Sequence, residues 1–181
     1  MENSGFTPET SLDEKLSIIN ITLMHIEIRL AKPNETAVLT KLSMRSKRSN
    51  GYDDAFMDAC REELTVTVER MEEGEYWVAD SGVICGCVCL TPDISDKNTA
   101  EINAFFIDPH WQRKGIGRLL WEKMLERAAL RDITSLVLDA DPYAVSFYEA
   151  MGFETIGKTP SGSIPGRVLP RMSMKLPKSI A

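Results

Sequence analysis

The first half of the chain alternates apolar and polar positions and therefore predicts strands. Residues 25–30 alternate in this way, and the runs 75–80 and 83–90 flank Ser81-Gly82, a two-residue turn that is typical of a hairpin. A further strand is predicted over 100–107. The hairpin turn indicates that this part of the chain pairs in antiparallel fashion.

Apolar residues at helical spacing predict helices before and after these strands. One helix begins at Pro33, and a second covers 52–64. A third begins after Gly115, where apolar residues recur at every fourth position: Ile116, Leu120, Met124 and Ala128. The remaining chain predicts a strand over 135–140, a helix over 141–151, a strand from 153 and a last strand over 168–176. Crossover helices imply parallel pairs, so the whole order predicts a mixed α/β sheet.

The composition fits one globular domain. The chain has 181 residues, of which 43% are hydrophobic and 27% are charged, and this is enough for one ordinary core. No internal repeat or second boundary interrupts residues 23–178, which we assign to a single domain. Residues 1–22 are polar at first and then carry a short apolar patch, so we interpret them as an N-terminal arm.

Charge and hydropathy argue against two classes of partner. The net charge is −6, which disfavours a broad attraction to nucleic acid. No apolar run approaches the roughly 20 residues that a membrane span needs, and no basic-then-apolar signal opens the chain, so we expect a cytoplasmic protein without a membrane partner.

Cys85, Cys87 and Cys89 alternate on one predicted strand. We expect them on one face as buried thiols rather than as metal ligands, and we predict no metal site.

A candidate anion site lies where the strand over 100–107 leads through a Pro turn into the helix after Gly115. A helix N-terminus has unpaired backbone N–H groups and about half a positive charge, which suits a phosphate. Gly115 and Gly117 leave the backbone bare there, and three cations flank the turn: Arg113, Lys114 and Arg118. Converging N–H donors are what a diphosphate needs. The alternative is an ordinary helix start with solvated basic side chains.

Two sequence blocks resemble the GNAT superfamily of acyltransferases, in a bacterial-type, single-domain form. Gln112-Arg113-Lys114-Gly115-Ile116-Gly117 matches the acyl-CoA loop of the family, Gln/Arg-x-x-Gly-x-Gly/Ala. Residues 141–153 are similar to its Asn-x-x-Ala-x-x-x-Tyr-x-x-x-Gly-Phe block, with Asp141 in place of Asn. The resemblance covers about residues 24–176. A Rossmann site is disfavoured because only two glycines occur and several strands precede them, and a Walker loop would need a following Gly-Lys-Ser/Thr.

This resemblance implies the GNAT acyl-CoA N-acyltransferase fold: a mixed six- to seven-stranded sheet, flanked by about four helices and splayed between two central parallel strands. Acetyl-CoA would enter the cleft between the strand that ends at Ile107 and the strand that ends at Ala140. In the family, backbone groups of the first of these strands bind the pantetheine arm and the thioester carbonyl. The implied acetyl-CoA contacts are Phe105, Phe106, Ile107, Gln112, Arg113, Lys114, Gly115, Ile116, Gly117, Arg118, Asp141 and Tyr148.

The resemblance also implies two catalytic residues. Tyr148 falls on the family tyrosine that often protonates the leaving thiolate, and its alternative role is that of a packing aromatic. Glu101 lies where some relatives carry a base that works through water. It would share a face of the strand with Ile107 unless a bulge intervenes, and an amine arriving neutral through ordered water is the alternative. Asp141 keeps the helix cap of the family Asn, while its contact with CoA stays open.

The expected function is transfer of an acetyl group from acetyl-CoA to a primary amine of a small molecule, by direct attack in a ternary complex. The alternatives are acetylation of protein N-termini or lysines, and a non-catalytic acyl-CoA sensor on the same fold. The acceptor is expected between residues 45–52 and 161–171. Arg48, Arg167 and Arg171 are the candidates to bind an acceptor carboxylate there, and the alternative is that these arginines are simply solvated. A homodimer stays open.

Overall fold

The computed structural model describes residues 25–177. The predicted N-terminal arm, residues 1–22, lies outside the described residues, so the division into an arm and a domain stays a prediction. Among residues 25–177, no helix is both long and apolar enough to cross a bilayer.

The centre of the fold is one seven-stranded sheet with the order β1-β2-β3-β4-β5-β7-β6. The parallel pair is β4 with β5, and the other five pairs are antiparallel. The prediction of a mixed sheet with a central parallel pair is therefore confirmed. The strands are β1 (Glu27–Leu30), β2 (Glu75–Asp80), β3 (Ile84–Pro92), β4 (Thr99–Ile107), β5 (Ser135–Asp139), β6 (Glu154–Pro160) and β7 (Val168–Lys175).

Six α-helices connect these strands within residues 25–177. The helix predicted over 52–64 is two short helices that meet at Cys60. The helix over Val68–Glu73 was not predicted; it begins where the Thr67 side chain accepts a hydrogen bond from the Arg70 N–H. The helices are α1 (Thr36–Arg48), α2 (Asp54–Ala59), α3 (Arg61–Leu64), α4 (Val68–Glu73), α5 (Ile116–Leu130) and α6 (Val145–Ala150).

The sheet has a hydrophobic core on each face. The first core lies between the sheet and α5, whose predicted apolar stripe is buried in it at Ile116, Leu120, Met124 and Ala128. The second core lies on the opposite face and includes Leu39 and Leu42 of α1. Strands in the centre of the sheet are thus covered on both faces, which matches their nearly continuous apolar sequence.

Bulges change the face on which two predicted residues lie. The pairing of β3 with β4 shifts register at Asn103, so Ile102 packs in the first core and Ala104 in the second. Glu101 and Ile107 therefore lie on opposite faces, which is the outcome expected where a bulge intervenes. A second shift in register, between Ala79 and Asp80 of β2, lies opposite Cys85 and turns this residue into the first core. Its thiol is thus on the opposite face from Cys87 and Cys89, contrary to prediction.

Candidate active site

The sheet opens between β4 and β5. The last residues that pair across them are Glu101 and Val137, although β4 continues to Ile107 and β5 to Asp139. Beyond this point β4 stays paired with β3 and β5 stays paired with β7, but the two strands no longer pair with each other. The opening leads into a cleft of about 600 Å³. The predicted splay is therefore present, and it places unpaired backbone groups of β4 along one wall of the cleft.

The N-terminus of α5 supplies backbone donors at one end of the cleft. The first helical hydrogen bond runs from Leu119 N–H to Gly115 O, at 3.1 Å, so the N–H groups of residues 116–118 have no helical acceptor. Arg113 and Gly115 have left-handed backbones, with φ of 57° and 84°, and turn the chain into this end. A Cβ at Gly117 would lie 3.9 Å from Ile107, in ordinary contact. The backbone is thus shaped to hold an anion such as a diphosphate.

Ten of the twelve predicted acetyl-CoA contacts line the cleft. Lys114 instead places its ammonium 5.0 Å from the centre of the Trp111 ring, and the Ile116 side chain is buried in the first core, which leaves only its backbone for binding. Glu101 is also outside the lining. The lining residues among the predicted set are Phe105, Phe106, Ile107, Gln112, Arg113, Gly115, Gly117, Arg118, Asp141 and Tyr148.

Tyr148 is a buried side chain whose hydroxyl is free to donate. The residue is 9% exposed, packs edge-on against Phe147 and Phe153, and lines the cleft. No hydrogen bond to its hydroxyl occurs within residues 25–177. Burial, reinforced by the charge of Asp141, raises the pKa of Tyr148 well above its usual value. The phenol is therefore protonated at neutral pH and available as a hydrogen-bond donor.

Asp141 is the centre of a polar network that the sequence did not reveal. It caps the turn before α6 by accepting a hydrogen bond from the Tyr143 N–H, at 3.0 Å. The Lys47 ammonium and the Tyr52 hydroxyl also donate to it, at 3.1 and 3.0 Å. Burial would raise the pKa of Asp141, but the Tyr143 N–H and the nearby Lys47 charge outweigh it and hold this pKa below its usual range. The network joins α1 to the helix that carries Tyr148.

The arginines expected to bind an acceptor carboxylate already have partners. Arg48 pairs with Asp54 and is outside the cleft lining, whereas Arg167 donates to the Tyr52 hydroxyl, at 2.8 Å, and lies 3.6 Å from Asp141. The structure therefore does not form the expected site between Arg48 and Arg167. The sequence did not reveal the carboxylates that pair with these arginines.

Arg171 joins the two strands that part at the cleft. Its Nη1 hydrogen-bonds Glu101 of β4 and lies 3.2 Å from Oδ1 of Asp139 of β5. Asp139 and Arg171 are direct cross-strand neighbours. Asp139 lines the cleft. It was not singled out in the sequence, although a carboxylate within the apolar run 135–140 is the kind of signal that marks a site.

The α1 face of the cleft contains further residues that sequence reasoning missed. Lys47 follows Leu39 and Ser43 at spacing four on the buried side of α1, and this polar break in an apolar stripe was the available signal. Arg70 also lines the cleft; its Nη1 donates to the backbone carbonyls of Glu63 and Thr65, at 2.7 and 2.6 Å. Within residues 25–177, no group of three or more potential ligand side chains is placed to hold a metal.

Comparison with known proteins assigns this architecture. A family model described as an acetyltransferase (GNAT) domain matches residues 43–176. The peptidyl-lysine N-acetyltransferase YjaB of Salmonella typhimurium is 31% identical over 157 residues, which are 85% of this chain and 100% of that protein. The N-acetylaspartate synthetase of Danio rerio is 30% identical over 95 residues, which are 50% of this chain and only 33% of the synthetase.

A solved structure has the same fold at lower sequence identity. The PaiA N-acetyltransferase of Thermoplasma acidophilum, crystallised in complex with coenzyme A, superimposes with a TM-score of 0.67 and 18% identity. The match covers 83% of this chain and 99% of that one. At this level of identity the comparison supports the fold alone.

Proposed function

The chain belongs to the GNAT acetyltransferase family and is an acetyl-CoA-dependent acetyltransferase, and we propose that its acceptor is the primary amine of a small molecule. The observation that carries the proposal is one continuous cleft. Its lining includes the N-terminus of α5, then Tyr148, and then the polar residues Ser43, Ser46 and Lys47 of α1. This continuity fits a ternary complex, in which both substrates are bound before transfer.

Some residues of the cleft are proposed to bind acetyl-CoA, and Tyr148 is proposed to transfer a proton. The free N–H groups of residues 116–118 and the side chain of Arg113 are proposed to hold the diphosphate of acetyl-CoA, which supplies the acetyl thioester. The backbone of residues 105–107 is proposed to align the pantetheine arm. The Tyr148 hydroxyl is proposed to donate a proton to the departing sulfur, since it is protonated and has no partner within residues 25–177.

The acceptor half of the cleft favours an amine that also carries a carboxylate. Arg70 uses Nη1 for backbone carbonyls and keeps its other nitrogens without a hydrogen bond in the described part of the chain. A charge-assisted pair with an acceptor carboxylate is the natural use of such a group. The relationship to N-acetylaspartate synthetases, named for an amino-acid product, agrees with this class of acceptor.

A second candidate acceptor is a lysine of a protein. It is favoured by YjaB, a relative named as a peptidyl-lysine acetyltransferase that matches over its whole length. A lysine side chain presents its amine on a long apolar stem, which would have to reach past α1 and the loop over 161–167 to the opening of the sheet. The two candidates differ in the groups attached to the amine: a carboxylate in a small molecule, or a peptide chain in a protein. Turnover of the two kinds of acceptor can be compared directly.

An acceptor screen that follows release of the CoA thiol tests the proposal. Amino acids and their derivatives, simple primary amines and lysine-containing peptides should be compared at equal amine concentration. Turnover with a small carboxylate-bearing amine is the expected result. A preference for peptides would support the second candidate. Tight binding of acetyl-CoA without turnover of any amine would instead identify a non-catalytic sensor and refute the proposal.

A further inference from the structure

Asp139 lies inside the opening of the sheet, whereas Glu101 lies at its closed end. Glu101 and Val137 form the last pair that joins β4 to β5, and Asp139 follows Val137 by two residues. At the rise of a strand, this is roughly 6–7 Å further into the opening. Of the two carboxylates that Arg171 contacts, Asp139 is the one that lines the cleft.

Asp139 and Tyr148 reach the opening from opposite faces of the sheet. Tyr148 packs in the first core, together with Leu138 and Ala140 of β5 and its end. Since side chains alternate along a strand, Asp139 points to the other face, where α1 and the acceptor pocket lie. A proton donor for the leaving sulfur and a proton acceptor for the amine thus lie on opposite faces of the sheet, and both line the cleft. This separation suits direct attack by an amine that enters from the α1 side.

Arg171 holds the Asp139 carboxylate in place through one of its two oxygens. Arg171 Nη1 is 3.2 Å from Oδ1 and also hydrogen-bonds Glu101, so it anchors the carboxylate to both strands. Oδ1 is nevertheless buried without a hydrogen bond in the part of the chain that the structure describes. The Asp139 side chain as a whole is 27% exposed, so its other carboxylate oxygen, Oδ2, is the one that an amine N–H in the cleft can approach.

We propose that Asp139 receives the proton that the acceptor amine loses, and that Arg171 is the residue that positions it. This assignment rests on the proposed transfer to a primary amine. In the step, the amine nitrogen bonds to the thioester carbonyl carbon and the carbon–sulfur bond breaks. One proton moves from nitrogen to the Asp139 carboxylate, another moves from the Tyr148 hydroxyl to sulfur, and exchange with water restores both side chains. Glu101 holds Arg171 and touches no substrate.

The test compares single amide substitutions in the full chain, with the best acceptor from the screen and saturating acetyl-CoA. Asp139→Asn should lower kcat by about 10²-fold or more, the range of a general base, while the shift in melting temperature caused by acetyl-CoA is kept. Glu101→Gln should lower kcat by less than about 10-fold, since it acts only through Arg171. Glu126→Gln, on the exposed side of α5, is the matched control and should equal wild type.

Two further variants separate proton transfer from a structural role. Formate should restore part of the kcat of Asp139→Ala, because it supplies a small carboxylate to the vacated position. Arg171→Lys should keep more kcat than Arg171→Ala at similar KM for acetyl-CoA. A Glu101→Gln loss that equals or exceeds that of Asp139→Asn would overturn the assignment, as would an active Asp139→Asn. A wild-type protein inactive with every amine would refute the proposed function and this assignment with it.

Discussion

Gly86 of β3 lies directly beneath Ile116, the first residue of α5. A Cβ at Gly86 would come within 3.0 Å of Ile116 Cγ2 and within 2.9 Å of Ile107 Cδ1. The helix whose N-terminus closes one end of the cleft is therefore seated on the sheet at a position that has no room for a side chain.

Gly86→Ala should consequently destabilise the fold and weaken acetyl-CoA binding together. Overpacking of this kind reduces the free energy of unfolding by about 1–3 kcal/mol, because the added methyl displaces the Ile107 and Ile116 side chains, which adjoin the proposed site. Gly157→Ala is the control, since nothing lies within 4 Å of its Cβ; its effect should be neutral or stabilising by up to about 1 kcal/mol. Urea unfolding and calorimetry with acetyl-CoA provide the two measurements. Unchanged affinity in a destabilised Gly86→Ala would separate α5 from the binding site.

Acetyl-CoA should stabilise the wild-type protein through the N-terminus of α5. At 100 times the dissociation constant the stabilisation is about 2.7 kcal/mol, which corresponds to a rise in melting temperature of roughly 5–10 °C for a chain of this size. Gly117→Trp should abolish the shift by filling the site, whereas Gly117→Ala should keep most of it because its Cβ would lie 3.9 Å from its nearest neighbour. No shift in the wild type at millimolar acetyl-CoA would contradict the proposed phosphate site.

Tyr148→Phe should lower kcat by about 10²- to 10⁴-fold and leave acetyl-CoA affinity nearly unchanged, because the variant removes a proton donor and keeps the aromatic packing. The raised pKa of Tyr148 also predicts no loss of the donor below about pH 10. Tyr143→Phe, at a tyrosine that is 67% exposed, is the control. Steady-state kinetics between pH 6 and about 10 checks both points. Equal activity of Tyr148→Phe would leave this residue a packing role only.

Protonation of Asp141 should lower the stability of the folded protein at acidic pH. Its pKa is below the usual value in the folded protein, so the stabilisation it provides is complete above the unfolded pKa of about 3.9 and is lost as the pH falls from there toward the folded pKa. Asp141→Asn keeps a capping oxygen but leaves Lys47, which is 9% exposed, without its ionic partner. Thermal unfolding should show the variant less stable at pH 7, with a smaller difference from wild type near pH 3. A constant difference across this range would contradict the sign of the shift.

The elements that were predictable from the sequence are those with strong local signals. The hairpin that joins β2 to β3, the stripe of α5 and its Gly115 start follow from periodicity and turn chemistry, and all three are present. The hairpin loop has three residues, 81–83, where the sequence predicts two. The helix over 52–64 was misread because its apolar residues keep helical spacing across the break at Cys60, where α2 ends and α3 begins. Spacing reports which side is buried and not whether the backbone is continuous.

The acetyl-CoA side of the site was also more predictable than the acceptor side. A diphosphate site is made largely by consecutive backbone groups, so a short motif such as 112–117 carries most of it. The proposed acceptor side is made by side chains far apart in the chain, among them Asp139, Arg171 and Arg70. The contacts of Asp139 and Arg171 depend on the register of β5 with β7 and on the bulge at Asn103. No local pattern contains that information.

Arg70 should determine the preference of the enzyme for acceptors that carry a carboxylate. Its Nη1 is fixed by the carbonyls at the end of α3, so the rest of the guanidinium is held at the cleft with little freedom to lose on binding. Arg70→Ala should raise KM for an amino-acid acceptor by about 10- to 100-fold, the value of one charge-assisted hydrogen bond, and leave KM for an uncharged primary amine within about threefold. A merely structural role of Arg70 would raise both KM values together, so the ratio of the two KM values is the measurement.

Arg61→Ala, an exposed arginine of α3 paired with Asp58, is the matched control and should leave the ratio unchanged. A wild-type preference for polyamines or aminoglycosides, insensitive to Arg70→Ala, would refute the carboxylate-bearing acceptor.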